Sequence, residues 1–262
     1  MTELPAALAT DLSKLNRKKE RLAQARYLIE GERLVDAACA AAVPLEMLIV
    51  DRKQVERYAY LARAAHLYIT DARHIAKIAD TKTPQGIIAI APLPTSADES
   101  APITPGERLL ILDGVSDPGN VGTLIRTAAW YQIDRVICGP DTADPYSPKV
   151  VRATMGGLWA TTVGSFGSAV TLLDWVQRSV PVDVYTAELT GQRPADVWRR
   201  PGPPGHAAAL VMGSEAHGLR SFQDYAVRIP VTLPGPQQRT VVESLNAGVA
   251  GAILLHCWST PH

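Results

Sequence analysis

Cysteine, net charge and long apolar runs are all scarce in this chain. Three cysteines, Cys39, Cys138 and Cys257, occur in 262 residues. They are odd in number and far apart, so they form neither a disulfide framework nor a zinc pattern, and they point to a reducing compartment. No apolar run nears the roughly 20 residues that cross a bilayer, and residues 1–14 lack a signal-peptide core. The default reading is a cytoplasmic protein with no membrane partner. No His, Cys or carboxylate cluster has the spacing of a metal site.

Net charge is absent too: 26 basic residues balance 26 acidic ones. That counts mildly against a nucleic-acid binder, which favours a basic surface. It leaves room for a local patch, because Lys14, Arg17, Lys18, Lys19 and Arg21 crowd one segment with only Glu20 opposing them. Taken alone, that run reads more readily as a solvated helix face.

Hydrophobic residues make up 47% and charged residues 20%, a soluble globular profile long enough for two domains. The stretch PLPTSADESAPITPGER, residues 92–108, is rich in Pro, Ser and acid and reads as the join. The division is residues 1–95, a linker at 96–107, and residues 108–262. The first part reads as a small α/β unit. It has helical spacing from Arg21 to Ala41 (Leu22, Ala25, Leu28, Ile29) and strands at Met47–Val50, Leu67–Thr70 and Gly86–Ala91. In the second part strand and helix alternate. Strands are predicted at Leu109–Leu112, Arg135–Cys138, Val182–Thr186, Ala207–Met212 and Ala226–Ile229. Helices are predicted at Val121–Tyr131, Pro148–Leu158, Ser168–Arg178 and Ser244–Trp258. Nearly continuous apolar strands between amphipathic helices imply a parallel sheet covered on both faces, with ligands beyond the strands' carboxyl ends.

Three loops occupy such ends. DGVSDPGNVGTLIR (113–126) holds Asn120 and Arg126 within a glycine-rich turn. Asn120 reads equally as a helix cap, and Arg126 as a partner for a surface carboxylate. GSEAHGL (213–219) offers Glu215 and His217, the latter more often an ordinary surface residue. The segment 230–246 leads into a helix of small residues, where Ser244 or Glu243 can cap and Asn246 has no evident structural need. The glycine spacing fits neither a P-loop nor the dinucleotide fingerprint, which weakens a nicotinamide oxidoreductase reading.

Together and in this order, DPGNVGTLIRTA, LVMGSEAHGL and IP…ESLNAGVAGAILL resemble the three motifs of the SpoU/TrmH group of RNA ribose 2′-O-methyltransferases in the SPOUT superfamily. RYLIEGERLVDAA (26–38) and TKTPQGIIAIA (81–91) are similar to that group's L30e-type RNA-binding domain. The resemblance implies a carboxy-terminal parallel α/β domain with a deep trefoil knot and a homodimer packed through it. It also implies S-adenosylmethionine as methyl donor, with Met212, Gly213, Ile229, Leu245 and Asn246 at the matching cofactor positions. Asn120, Arg126, Glu215, Ser244 and Asn246 match the catalytic positions. The implied acceptor is a ribose 2′-hydroxyl, in ribosomal RNA before tRNA, and no metal is needed. In that setting Arg126 grips an RNA phosphate, with Glu215 and Asn120 orienting it. The basic run Arg17, Lys18, Lys19 and Arg21 becomes an RNA-contacting arm. A non-catalytic RNA-binding relative is the remaining alternative, opposed by retention of all five motif residues. Two departures stand out: VTLPGPQQRTVVE (231–243) is longer than usual, and Ala247 replaces an apolar residue after Asn246.

Overall fold

A computed structural model of the chain describes residues 2–63, 65–94, 101–198, 202–226, 228–233 and 244–260. It divides into two compact units. One comprises Met1–Pro94 with Tyr146–Ala160, the other Thr95–Pro145 with Thr161–His262.

The first unit is built on a five-stranded mixed sheet. Its strands are β1 (Thr2–Glu3), β2 (Arg26–Glu30), β3 (Met47–Asp51), β4 (His66–Thr70) and β5 (Ile87–Pro92), in the order β1-β4-β3-β5-β2. β5 runs antiparallel to β2 and β3, while β1, β4 and β3 are mutually parallel. Leu12, Leu28, Ile49, Ile75, Ile88 and Ile90 close one core cluster.

The helix expected over Arg21–Ala41 is not continuous. Helix Lys18–Gln24 stops at Ala25, which takes a left-handed φ of 51°. Tyr27, Leu28 and Ile29 are instead fully packed in β2, and Gly31, at φ 94°, turns the chain into helix Glu32–Ala40. A strand buried on both faces has no period-two signature, so its apolar run merged with the helix before it.

Residues 146–160, placed by sequence in the second domain, pack within the first unit. Helix Pro148–Thr154 ends where Met155 and Gly156 take positive φ, short of the expected Leu158. From it Arg152 reaches the buried Glu30 at 3.2 Å. Trp159 Nε1 donates to the Tyr27 hydroxyl at 2.9 Å. Burial pushes that phenol up to about 12 despite the Trp159 bond, so it stays protonated.

The second unit carries a six-stranded sheet. Its members are β6 (Arg108–Asp113), β7 (Arg135–Cys138), β8 (Thr162–Ser165), β9 (Val182–Gln192), β10 (Ala207–Gly213) and β11 (Arg228–Val231). The order is β11-β9-β10-β6-β7-β8, and every pairing is parallel. β8 escaped the sequence reading because Thr162-Val163-Gly164-Ser165 is short and barely apolar. β11 begins two residues later than predicted, with residue 227 outside the described set. Leu109 and Ile111 face a cluster with Leu172 and Trp175 of helix Ala169–Arg178. On the other face lie helices Pro118–Trp130 and Ala247–Ser259. They pack so closely that a Cβ on Gly251 would come within 2.2 Å of Leu124 Cδ2 and 3.4 Å of Met212 Cε.

Part of the expected linker is structured. Residues 95–100 are outside the described set, but Ile103 is buried in the second unit's core. The Arg135 guanidinium binds the carbonyls of Ala101 at 2.7 Å and Pro102 at 3.1 Å, and it pairs with Glu107. The segment reads as a Pro- and Gly-bearing linker yet is held by a buried cation, which composition alone does not reveal.

Candidate active site

β6 and β10 are neighbours in register, so their last residues, Asp113 and Gly213, stand side by side. Asp113 is fully buried. Its Oδ2 accepts backbone N–H groups from Arg220 and Ser221, both at 2.7 Å, and from Phe222 at 3.3 Å. One carboxylate thus ties the far end of the second motif loop to the first strand. The sequence reading gave Asp113 no role. Its only signal was an acid ending an otherwise apolar strand.

The helix of the first motif starts at Pro118, earlier than the predicted Val121. Asp117 is its cap, accepting the Asn120 N–H at 2.9 Å. Asn120 is therefore not a cap, and its side chain is available for other partners. At the third motif the assignment is also reversed. Helix Ala247–Ser259 is capped by Asn246, whose Oδ1 accepts the Val249 N–H at 3.2 Å. Ser244 is exposed upstream of the helix, and Glu243 lies outside the described residues.

These side chains join. Asn246 Nδ2 donates to Asn120 Oδ1 at 2.9 Å, and Asn120 Nδ2 donates to Glu215 Oε1. A chain of hydrogen bonds thus runs from a helix amino end through two amides to a carboxylate, with one member from each loop. Gly248 makes room for it: a Cβ there would sit 3.2 Å from both Asn120 Oδ1 and Asn246 Oδ1. All three side chains keep solvent access, as a substrate-facing group must.

Arg126 is not part of this chain, contrary to the expectation that Asn120 and Glu215 orient it. It is exposed and has no hydrogen-bond or ion-pair partner among the described residues. Six residues beyond Asn120 is about 240° around a helix and roughly 9 Å along it, so the two point away from each other. His217 is likewise exposed. In the basic run, Lys14, Arg17, Lys18 and Lys19 are exposed. Arg21 is buried, donating to the Leu15 carbonyl at 2.7 Å, and so is lost to any RNA surface.

The expected cofactor positions are less tightly grouped. Met212 is buried at the end of β10. The hairpin after Gly213 is closed by two Ser214–Gly218 backbone bonds of 2.9 and 2.8 Å, leaving no space for a Cβ at Gly213. Leu245 is 47% exposed beside Asn246. Ile229 and Leu210 both pair with Tyr185 of β9, so Ile229 lies two strands over from β10, level with the residue three back from Gly213. Residues 234–243, most of the long loop noted in the sequence, are outside the described set. Exposed apolar surface beside main-chain donors and acceptors is the chemistry a purine ring requires.

Comparison with known proteins places these loops in a family. A family model described as the SpoU rRNA Methylase family matches residues 107–256, which include all three motifs. The chain belongs to the SpoU rRNA methylase family. A second model, the MRM3-like substrate binding domain, matches residues 10–89. Among curated relatives is the 23S rRNA (guanosine(2553)-2′-O)-methyltransferase RlmP of Bacillus subtilis (strain 168). It is 29% identical over 255 residues, covering 94% of this chain and 93% of that protein. Solved structures extend the likeness. One, from Porphyromonas gingivalis, is assigned to the TrmH family of RNA methyltransferases. It is 32% identical, with a TM-score of 0.78, covering 97% of this chain and 98% of its own. Another is the AdoMet-bound rRNA methyltransferase of Sinorhizobium meliloti. It is 28% identical, with a TM-score of 0.79, over 98% of this chain and 96% of that one. In the SpoU setting, the Asn246–Asn120–Glu215 chain is where the three motif loops meet.

Proposed function

We propose that this protein transfers a methyl group from S-adenosylmethionine to a ribose 2′-hydroxyl of ribosomal RNA. The observation that carries the reading is the hydrogen-bond chain from Val249 through Asn246 and Asn120 to Glu215 at the paired ends of β6 and β10. Relatives named as rRNA 2′-O-methyltransferases and an AdoMet-bound structural neighbour support it.

When bound, S-adenosylmethionine supplies an electrophilic methyl carbon on a sulfonium. The backbone of Met212 and Gly213 and the side chains of Ile229 and Leu245 would hold the adenosine, with Asn246 at the edge. The sulfonium would supply its methyl carbon to the 2′-oxygen, with the neutral thioether as the leaving group. The hydroxyl gives up its proton to solvent. The protein's main task is alignment, which in well-ordered sites lowers a barrier by about 7–11 kcal/mol. Asn120, Asn246 and Glu215 hold that alignment, and Ser244 lies at its rim. Arg126 grips an RNA phosphate and stabilises the developing alkoxide. Its guanidinium keeps its proton, so it acts as a charge and not as a base.

Arg126 does this in the site of a second copy. Its helix exposes Trp130, 81% accessible, and the adjoining helix exposes Val249 and Ile253. Such an apolar face suits a homodimer. Arg17, Lys18 and Lys19 form the RNA arm, and the carboxy-terminal domain carries the family's trefoil knot. The setting is cytoplasmic, in keeping with three free cysteines. The deciding experiment incubates the protein with isotope-labelled S-adenosylmethionine and unmodified ribosomal RNA, then maps ribose methylation. One labelled 2′-O-methyl nucleotide is expected. Cofactor binding with no label in any RNA would overturn the reading.

A further inference from the structure

The first unit holds a cleft of about 490 Å³ that takes no part in the chemistry above. Leu34, Ile87 and Ile88 form a buried apolar floor. Pro84 and the half-exposed Met155 add an apolar lip. Charge is distributed unevenly around this floor.

Every nearby carboxylate is already engaged. Glu30 accepts the backbone N–H groups of Asp80 at 2.8 Å and Thr81 at 3.3 Å, the Thr81 hydroxyl at 3.1 Å, and Arg152 at 3.2 Å. Arg152 also pairs with Asp80 at 2.6 Å, and Arg57 pairs with Glu32. Two cations are left over. Arg33 lines the cleft and Lys82 lies between its lining residues Thr81 and Thr83. Both are exposed, and neither has an ion-pair or hydrogen-bond partner among the described residues. A chain with no net charge thus presents unopposed positive charge beside an apolar slot.

We infer that this cleft seats one unpaired nucleotide of the RNA substrate, its base against Met155 and Pro84 and its flanking phosphates between Arg33 and Lys82. The volume lies within the range of pockets that enclose small organic ligands. A purine or pyrimidine ring presents a flat face to the thioether, a favourable contact for sulfur. A splayed base with adjoining phosphates is the form in which single-stranded RNA is read, whereas a duplex keeps its bases stacked and out of reach. The inference rests on the methyltransferase reading for the identity of the ligand, and the unit itself matches a substrate-binding domain model.

The test uses the full-length Arg33→Glu/Lys82→Glu variant, with Arg73→Glu, on helix Ala72–Ile78, as a control for general charge loss. Binding of a fluorescein-labelled mixed-sequence 20-nucleotide RNA is followed by anisotropy, single-stranded and as a duplex. The double variant should weaken single-strand binding at least tenfold and lower the salt slope by about 1.4. It should raise KM for unmodified ribosomal RNA while leaving kcat and the calorimetric Kd for S-adenosylmethionine within twofold. Met155→Asn, which tolerates the left-handed backbone there, should weaken binding without changing the salt slope. Unchanged single-strand affinity, an equal loss with Arg73→Glu, or equal binding of the duplex would overturn the cleft assignment. Normal RNA binding by a wild-type protein that neither binds the cofactor nor methylates would overturn the catalytic reading alone.

Discussion

Asn246 meets two demands at once, and they can be separated. Its Oδ1 caps helix Ala247–Ser259 while its Nδ2 holds Asn120. Asn246→Ala removes both, costing about 1 kcal/mol of cap energy and lowering Tm by about 2–4 °C. Asn246→Asp keeps an acceptor for the Val249 N–H but loses the donor to Asn120. Its Tm should stay near wild type while methyl transfer falls on the order of 100-fold, the cost of a small misplacement. Equal activity in the Asp variant would show that the amide chain is dispensable. Asp113 is the quieter residue of the same region. Asp113→Ala leaves three backbone N–H groups without their buried acceptor, at about 1–3 kcal/mol for each one that is fully buried. Urea unfolding should show a loss of on the order of 3 kcal/mol, and a loss under 1 kcal/mol would mean that the loop finds other partners. The candidate residues Asn120, Glu215 and Asn246 were legible because polar groups recur at the ends of apolar strands. Their bonding was not, since Asn120 and Asn246 are joined across 126 positions of chain.

Helices Pro118–Trp130 and Ala247–Ser259 pack with almost no room to spare, and the reason lies in one hydrogen atom. A methyl group at Gly251 would meet Leu124 at 2.2 Å. Gly251→Ala should therefore destabilise the protein by about 1–3 kcal/mol, although alanine is the better helix former. Combining it with Leu124→Ala should cost less than the sum of the two changes, and strict additivity would argue against contact. At the other end of β6, Arg135 is bound to Glu107 and holds residues 101 and 102 against the core. Burial by itself raises the Glu107 carboxyl. Hydrogen bonds from Arg135 and then Thr104 outweigh it and leave the group below its ordinary value. A carboxyl lowered on folding contributes stability that is present above its unfolded pKa of about 4.3 and is lost as pH falls toward the folded value. The acid limb of the unfolding curve should therefore flatten in Glu107→Gln, and an unchanged limb below pH 5 would exclude this pair as its source. Apart from β8, the strands of this unit were readable because they are largely apolar. The packed stretch 101–107 was not, because a Pro- and Gly-bearing segment anchored by a distant arginine looks like any linker.

At the scale of the whole molecule, the apolar face carrying Trp130, Val249 and Ile253 is the proposed dimer surface. Trp130→Glu should yield a monomer in sedimentation velocity and lose methyl transfer, since Arg126 would no longer reach a partner site. A dimer that persists, or a fully active monomer, would place Arg126 in its own subunit's reaction. The sequence alone determined the alternation of strand and helix, the parallel sheet and the residues at its strand ends, because burial and backbone propensity are local properties written into each segment. It also carried the family motifs. Only the tertiary structure decided which segments meet. It moved residues 146–160 into the first unit, buried Arg21, made Asn246 a cap and set Arg126 apart from Asn120. Each of these depends on contacts between distant parts of the chain, or on which way one turn of helix faces, and neither can be read from composition or spacing.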